Sequence, residues 1–249
     1  MNHASFRFYA ELNDFLPPHR KRVIFSHAFD GQPSVKDTIE ALGVPHTEVD
    51  LILVHGESVD FSYRIKDGDQ VSIYPVFESI DITSVLRVRP QPLREVRFVL
   101  DTHLGRLAGY LRMLGFDTLY RNDFGDAELA SLSNRGKRIL LTKDRGLLKR
   151  AEVTHGYCVR EIHPRRQLVE VLRRFDLARL IKPFERCMRC NGLVTLIDDE
   201  EVIDQLPPET RQYYDEYHLC QDCGRVYWRG SHYQRMQLFI AQVLEEVAG

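Results

Sequence analysis

Four cysteines stand as two pairs, Cys187-x₂-Cys190 and Cys220-x₂-Cys223, with 29 residues between the pairs. A pair at that spacing puts two thiolates on one tight turn, and two such turns supply the four sulfurs of a tetrahedral zinc site. Gly192 and Gly224 follow the pairs, where a turn wrapping a metal favours a residue without Cβ. With every ligand position filled by protein, the zinc is expected to be structural and to hold a small domain with little core of its own. Two disulfides are the rival arrangement. The N-terminus MNHASFRFYAEL carries no secretory signal, so the chain is expected to be cytoplasmic, where thiols stay reduced. Cys158, the fifth cysteine, lies in an apolar stretch and reads as a small buried hydrophobe.

Three aspartates recur at one kind of place. Asp101 directly follows the apolar run Val96–Leu100, Asp126 opens the helix-period run Ala127–Ser133, and Asp144 comes two residues after Arg138–Thr142. If the apolar runs are parallel strands, their ends share one edge of a sheet, where open α/β folds place their sites. Clustered carboxylates repel one another unless a divalent cation sits among them, and hard oxygen ligands suit Mg²⁺ or Mn²⁺. Aspartate is also a preferred N-cap, so each of the three has a purely structural alternative, and capping and ligation can coexist. Asp117, Asp123 and Glu128 nearby read as solvated or turn residues.

The elements that must carry these residues follow from periodicity. From Arg97 to Arg150, short apolar runs alternate three times with helix-period runs. Leu104, Leu107, Ala108, Leu111 and Leu114 mark the first helix, Gly115 ends it, Thr118–Tyr120 resumes as a strand, and Tyr157–Arg160 supplies a fourth. Strands alternating with helices predict a parallel sheet with helices on its faces. Pro164 opens a further helix bearing Arg165, Arg166, Arg173 and Arg174, and Gln237–Val247 reads as a short amphipathic helix. In front of this part, residues 4–12, 22–29, 50–55 and 71–77 read as strands and Val35–Leu42 as a helix after Ser34. A right-handed crossover among them gives a small mixed sheet gripping one helix. His19, His46 and His55 read as ordinary surface or partly packed residues, and Thr83–Glu95, with Pro90 and Pro92, as an extended linker.

Charge is divided unevenly. Residues 1–82 hold 7 Lys+Arg against 13 Asp+Glu, residues 83–182 hold 21 against 11, and residues 183–249 hold 6 against 12. A basic middle that also carries an acidic cluster suits a polyanion cut at a metal, although solvated Arg-rich helix faces would have the same composition. After the second cysteine pair, Tyr227, Trp228 and Tyr233 interleave with Arg225, Arg229, His232 and Arg235. That mixture suits base stacking and phosphate contact, while the alternation of Val226 and Trp228 equally suits packing of a final strand. Arg106, one turn after Asp101, and Lys143 or Arg145 beside Asp144 are candidate phosphate contacts.

Residues 4–78 resemble the ubiquitin-like β-grasp domains of the ThiS/MoaD sulfur-carrier type, where a similar Asp67-Gly68-Asp69 turn precedes the closing strand VSIYPV. Sulfur carriers end in a free Gly-Gly, whereas here the strand runs on as FESIDITSVLRVRP. That departure argues against a carrier role and against sulfur transfer onto RNA, leaving protein docking or RNA positioning. Residues 96–236 resemble the Mut-seven C-terminal RNase family, a PIN-like nuclease domain followed by a zinc ribbon, through LDTHLGRLAGYLRMLGFDTLY, ILLTKDRGLL, CMRCNG and CxxCGRVYWRGSHYQRM. Some members carry a β-grasp domain in front.

The expected organisation is therefore a multidomain α/β and α+β chain. It has a β-grasp domain at 1–82, a linker at 83–95, a PIN-like parallel α/β sandwich at 96–182, a four-cysteine zinc ribbon at 183–236 and a helical tail at 237–249. The resemblance implies a metal-dependent endoribonuclease for single-stranded RNA, active in RNA processing or turnover. Asp101, Asp126 and Asp144 match the PIN-like acidic positions, both as catalytic residues and as ligands of Mg²⁺ or Mn²⁺. His103 matches no role, and the fourth acid of many PIN domains is not evident. Arg106, Lys143, Arg145, Trp228, Arg229 and His232 are the expected substrate contacts. The alternative is a non-catalytic RNA-binding or adaptor protein whose acids only cap helices and whose β-grasp domain recruits a protein partner. No membrane role is expected, since no run approaches the length of a membrane span.

Overall fold

Phe6 and Phe8 sit two residues apart on one face of β1 (Asn2–Phe8), and that period of two begins the first core. The computed structural model describes residues 1–75, 87–88, 95–198, 213–214 and 216–249. Most of the expected 83–95 linker thus lies outside the described residues. After β1 come β2 (Phe25–Phe29), α1 (Val35–Ala41), β3 (Leu51–Val54), β4 (Glu57–Val59) and β5 (Gln70–Tyr74), in a sheet ordered β2-β1-β5-β3-β4. β1 and β5 are parallel and the other pairs antiparallel, with α1 contributing the fully buried Ile39. This is the β-grasp fold.

Ser34 caps α1 by accepting the Asp37 N–H at 3.0 Å. In the turn before β5, Asp67 accepts the His3 N–H at 2.7 Å, and buried Asp69 accepts from Lys66 N and Tyr63 Oη at 2.8 and 3.1 Å. Two expectations need correction. Residues 9–12 are not strand: Ala10–Phe15 is a 3₁₀ turn that buries Leu12 and Phe15 at a spacing of three. A fifth strand, β4, also joins the sheet; its three residues are too few to show a period.

The central part runs β6 (Arg97–Leu100), α2 (Gly105–Met113), β7 (Asp117–Leu119), α3 (Asp126–Gly136), β8 (Ile139–Thr142), α4 (Arg145–Leu148), β9 (Gly156–Cys158) and α5 (Pro164–Arg174). β6 pairs parallel with β7, and β8 parallel with β9, as the alternation of strand and helix predicts. The last strand covers 156–158 rather than 157–160. Three short antiparallel strands come next, β10 (Val194–Ile197), β11 (Tyr217–Cys220) and β12 (Val226–Trp228), and then α6 (Ser231–Ala248), which begins before the expected Gln237. Among the described residues no helix is long and apolar enough to cross a membrane.

The described residues form two compact units, Met1–Glu95 with Asp126–Cys158 and Val96–Gly125 with Val159–Gly249. In the first, the β-grasp fold is packed together with the segment Asp126–Cys158 rather than standing apart. Its 3₁₀ turn His46–Glu48 packs against β9. His46 is only 7% exposed, and both its ring nitrogens face acceptors, Nδ1 at 2.6 Å from Glu40 Oε1 and Nε2 at 2.9 Å from the Val153 carbonyl. The fully buried Glu48 carboxylate accepts the Cys158 N–H at 2.6 Å. His46 is thus a buried bridge, more fully engaged than the surface or partly packed residue expected from the sequence.

In the second unit, Phe98, Val99 and Leu100 of β6 are fully buried, as are Leu107, Ala108 and Leu111 of α2. α5 packs on both α2 and α6. Arg165 pairs with Glu246, and Arg173 donates to the Glu246 carbonyl, so two of the four arginines of α5 tie down α6. Gly115, past the end of α2, has φ +93°, and a Cβ there would fall 2.1 Å from the Lys182 carbonyl oxygen. Gly115→Ala is therefore expected to lose on the order of 1–3 kcal/mol to backbone conformation, with the clash adding to it. Its chemical denaturation midpoint should drop clearly below wild type, and an unchanged midpoint would refute this account of the turn.

Candidate functional site

The four cysteines converge. All four Sγ atoms lie within 4.8 Å of one another, with Cys187 to Cys223 at 3.7 Å and Cys190 to Cys220 at 3.4 Å. A tetrahedron with metal–sulfur bonds of about 2.3 Å has edges of about 3.8 Å, whereas a disulfide requires about 2.05 Å. The donor set and its spacing thus fit zinc, and the separations are those of free thiols rather than of disulfides. Each turn is closed by an N–H: Asn191 donates to Cys187 O at 2.9 Å, and Gly224 to Cys220 O at 3.0 Å. These two residues hold equivalent places, and both take positive φ, +76° and +68°. Gly192 lacks a side chain for a different reason, since a Cβ would come within 2.7 Å of the Asp222 carboxyl. Burial opposes ionisation of Cys187, but the Tyr227 hydroxyl at 3.0 Å and nearby N–H groups outweigh it and lower its pKa to about 6. Burial and the same contact push the Tyr227 hydroxyl up.

Sequence reasoning missed what holds this ribbon in place. Arg112, on the apolar face of α2 and only 5% exposed, donates from Nε to Thr118 O at 2.9 Å and from Nη1 to Met188 O and Arg189 O at 3.2 and 3.0 Å. Asn191 completes the junction with β7, accepting the Thr118 N–H at 2.8 Å and donating to Asp117 Oδ1 at 2.7 Å. One signal for Asn191 was present: it follows a Cys-x₂-Cys turn and tolerates positive φ. A lone arginine on an apolar helix face gives no comparable sign.

The aromatic-basic segment splits between two elements. Trp228 on β12 packs against the buried Tyr217 with Ile197, Leu219 and Val226 while staying only partly buried, so packing engages it without covering it. Arg229 pairs with Glu216 at 2.9 Å, while His232 is exposed on α6. A groove of about 230 Å³ runs beside them, lined by Phe184, Met188, Tyr227, Trp228, Tyr233 and Met236 among others.

The three aspartates occupy related positions in different units. In the second unit Asp101 follows β6 directly and caps the 3₁₀ turn Thr102–Leu104, its Oδ1 accepting the Thr102 N–H at 2.6 Å. In the first unit Asp144 caps α4, its Oδ1 accepting the Gly146 N–H at 2.6 Å, and Asp126 is the exposed first residue of α3. Capping is thus observed for two of the three. It engages an Oδ1 in each, which is compatible with ligation of a cation by the carboxylate. Among the described residues the cysteines are the one group of three or more such ligands drawn within 4.8 Å. Arg106 and Lys143 are exposed, and the Arg145 guanidinium lies 4.8 Å over the Phe15 ring. Asp117 is engaged by Asn191, and Asp123 by Arg121 in a bidentate pair at 2.9 and 2.6 Å.

A family model described as the Mut7-C RNAse domain matches residues 96–240, and one described as Mut7-C ubiquitin matches residues 1–81. Two solved structures are similar to part of the chain. The crystal structure of H. volcanii small archaeal modifier protein 1 is 18% identical over 31% of this chain and 100% of that one, with a TM-score of 0.26. The crystal structure of SAMP1 from Haloferax volcanii is 16% identical over 32% and 100%, also with a TM-score of 0.26. No curated protein matches.

Proposed function

Because this chain belongs to the Mut7-C RNAse domain family, we propose that it is a divalent-metal-dependent endoribonuclease that cuts single-stranded RNA during processing or turnover. One observation carries the reading: the family match runs unbroken over residues 96–240, from the first strand-end acid through all four cysteines. The domain limits at 1–82, 96–182 and 183–236 belong to the same proposal. Asp101 and Asp144 would hold Mg²⁺ or Mn²⁺, with Asp126 completing the set. Bound there, such an ion lowers the pKa of a water and offsets charge developing on the phosphate.

The chain's own residues do the rest. Arg106, Lys143 and Arg145 hold the phosphodiester through charge-assisted hydrogen bonds. Trp228, Arg229 and His232 engage the strand at the ribbon by stacking and phosphate contact. The cysteines hold a structural zinc that keeps those residues in place. The cut leaves a 5′-phosphate and a 3′-hydroxyl, and the β-grasp domain offers a surface to a protein partner.

The cap hydrogen bonds of Asp101 and Asp144 favour a second reading, in which the chain binds RNA without cutting it. A panel of labelled single-stranded RNAs incubated with the purified protein in Mn²⁺, Mg²⁺ or EDTA separates the two. Internal cleavage that needs the metal and leaves 5′-phosphate ends is the expected result. RNA bound yet intact in every metal would replace the nuclease with the adaptor.

A further inference from the structure

The turn that carries Asp144 continues into a strip of chain fastened at four points to the β-grasp fold. Arg145 lies over the Phe15 ring, and Lys149 Nζ donates to the Glu40 carbonyl at 2.7 Å. The Val153 carbonyl meets His46 Nε2 at 2.9 Å, and the Cys158 N–H meets Glu48 Oε1 at 2.6 Å. Phe15 itself is 6% exposed at the end of its 3₁₀ turn, whereas Arg145 is exposed. A buried ring therefore lies against an exposed guanidinium directly beside a strand-end aspartate. A guanidinium that rests on a ring through one face keeps its edge N–H donors, the ones that grip phosphate oxygens bidentately. An arginine held in advance also gives up less rotamer freedom when its ligand arrives.

We propose that the ubiquitin-like domain supports an RNA contact at the Asp144 turn, with Phe15 as a positioning residue that holds Arg145 against a backbone phosphate of single-stranded RNA. The inference rests on the proposed RNA binding and gives the domain a role within its own chain, beyond any partner it docks.

The test measures RNA affinity against salt concentration in EDTA with the full-length protein, so that cleavage is not needed. Phe15→Leu keeps apolar volume while removing the π face, Phe15→Tyr restores it, and thermal melting checks that each variant is folded. Phe15→Leu is expected to weaken binding of a labelled single strand about two- to fivefold at low salt. It should also reduce the slope of log K against log salt by up to about 0.7, the share of one phosphate contact on a single strand. Phe15→Tyr should restore both, and Phe15→Leu should add nothing to Arg145→Ala. Penalties that add, or a Phe15→Leu variant with wild-type affinity and slope, would overturn the proposal and leave Phe15 as packing alone. Wild-type protein that binds RNA without cutting it would end the nuclease reading and leave this one standing; protein that binds no RNA would end both.

Discussion

Cys187→Ser, or stripping the zinc with a chelator, is expected to unfold the ribbon and loosen the part of the chain it leans on. Among the described residues the ribbon's own core is small. β10, β11 and β12 are three or four residues long, and their shared core centres on Tyr217 with partly buried neighbours. Strands that short are not stable by themselves. Four-cysteine zinc binding contributes on the order of 10 kcal/mol or more in small metal-held domains, which exceeds what this core can supply. Cys187 is fully buried, so serine there cannot be replaced by a ligand from outside. Because Arg112 and Asn191 bond the first cysteine turn to the neighbourhood of β7, losing the turn also strips partners from the end of α2. Trp228, the chain's single tryptophan, packs near Tyr217 and reports the event. Its emission should shift to the red and the melting temperature should fall when zinc content drops from one per chain. Unchanged emission and melting after complete zinc removal would mean that the ribbon folds without the metal.

The second large effect concerns rate. Asp101 and Asp144 each cap a turn through one carboxylate oxygen, and asparagine caps as well as aspartate does. Asp→Asn at either position therefore keeps the cap while removing the negative charge and most of the affinity for a hard cation. Each single Asn variant is expected to cut RNA at least roughly a hundredfold more slowly, beyond the 10–100-fold typical of residues that only support a ligand. Melting temperatures should stay within a few degrees of wild type. The alanine variants should show the same rate loss plus about 1 kcal/mol of lost capping at each site. Initial rates at saturating Mn²⁺, read beside melting curves, check both parts. Asparagine variants with full activity would return both acids to a purely capping role.

Much of this was legible because it depends on local period. The run Val96–Leu100 and the leucines of α2 declare a strand and a helix before any packing is known, and the strand-end aspartates follow from where those runs stop. The cysteine centre was legible from spacing alone. What escaped depends on contacts between distant positions. His46 is bonded to Val153, 107 residues away, and nothing beside it in the sequence marks it as buried. Glu48 likewise has no neighbour in sequence that marks it as buried, and its partner Cys158 is 110 residues away. The start of α6 had a signal of its own: Tyr233, Met236, Ile240 and Val243 keep a helical spacing, but the aromatic-basic mixture drew Ser231–Met236 into the ribbon. β4 was out of reach, since three residues cannot show alternation.

The packing of the β-grasp domain escaped for a related reason. Pro90 and Pro92 suggest an extended linker, and composition says nothing of side chains that cross from the domain to α4 and β9. Those contacts place the domain and the segment Asp126–Cys158 in one packed unit.

Internal cleavage of one end-labelled single-stranded RNA tests the central claim most directly, with wild type and the Asp101→Asn/Asp144→Asn double variant compared at equal RNA occupancy in Mn²⁺ and in EDTA. The account predicts 5′-phosphate fragments from wild type in Mn²⁺ alone, and intact RNA from the folded, RNA-bound double variant. Equal cutting by both proteins, or cutting that persists in EDTA, would contradict it.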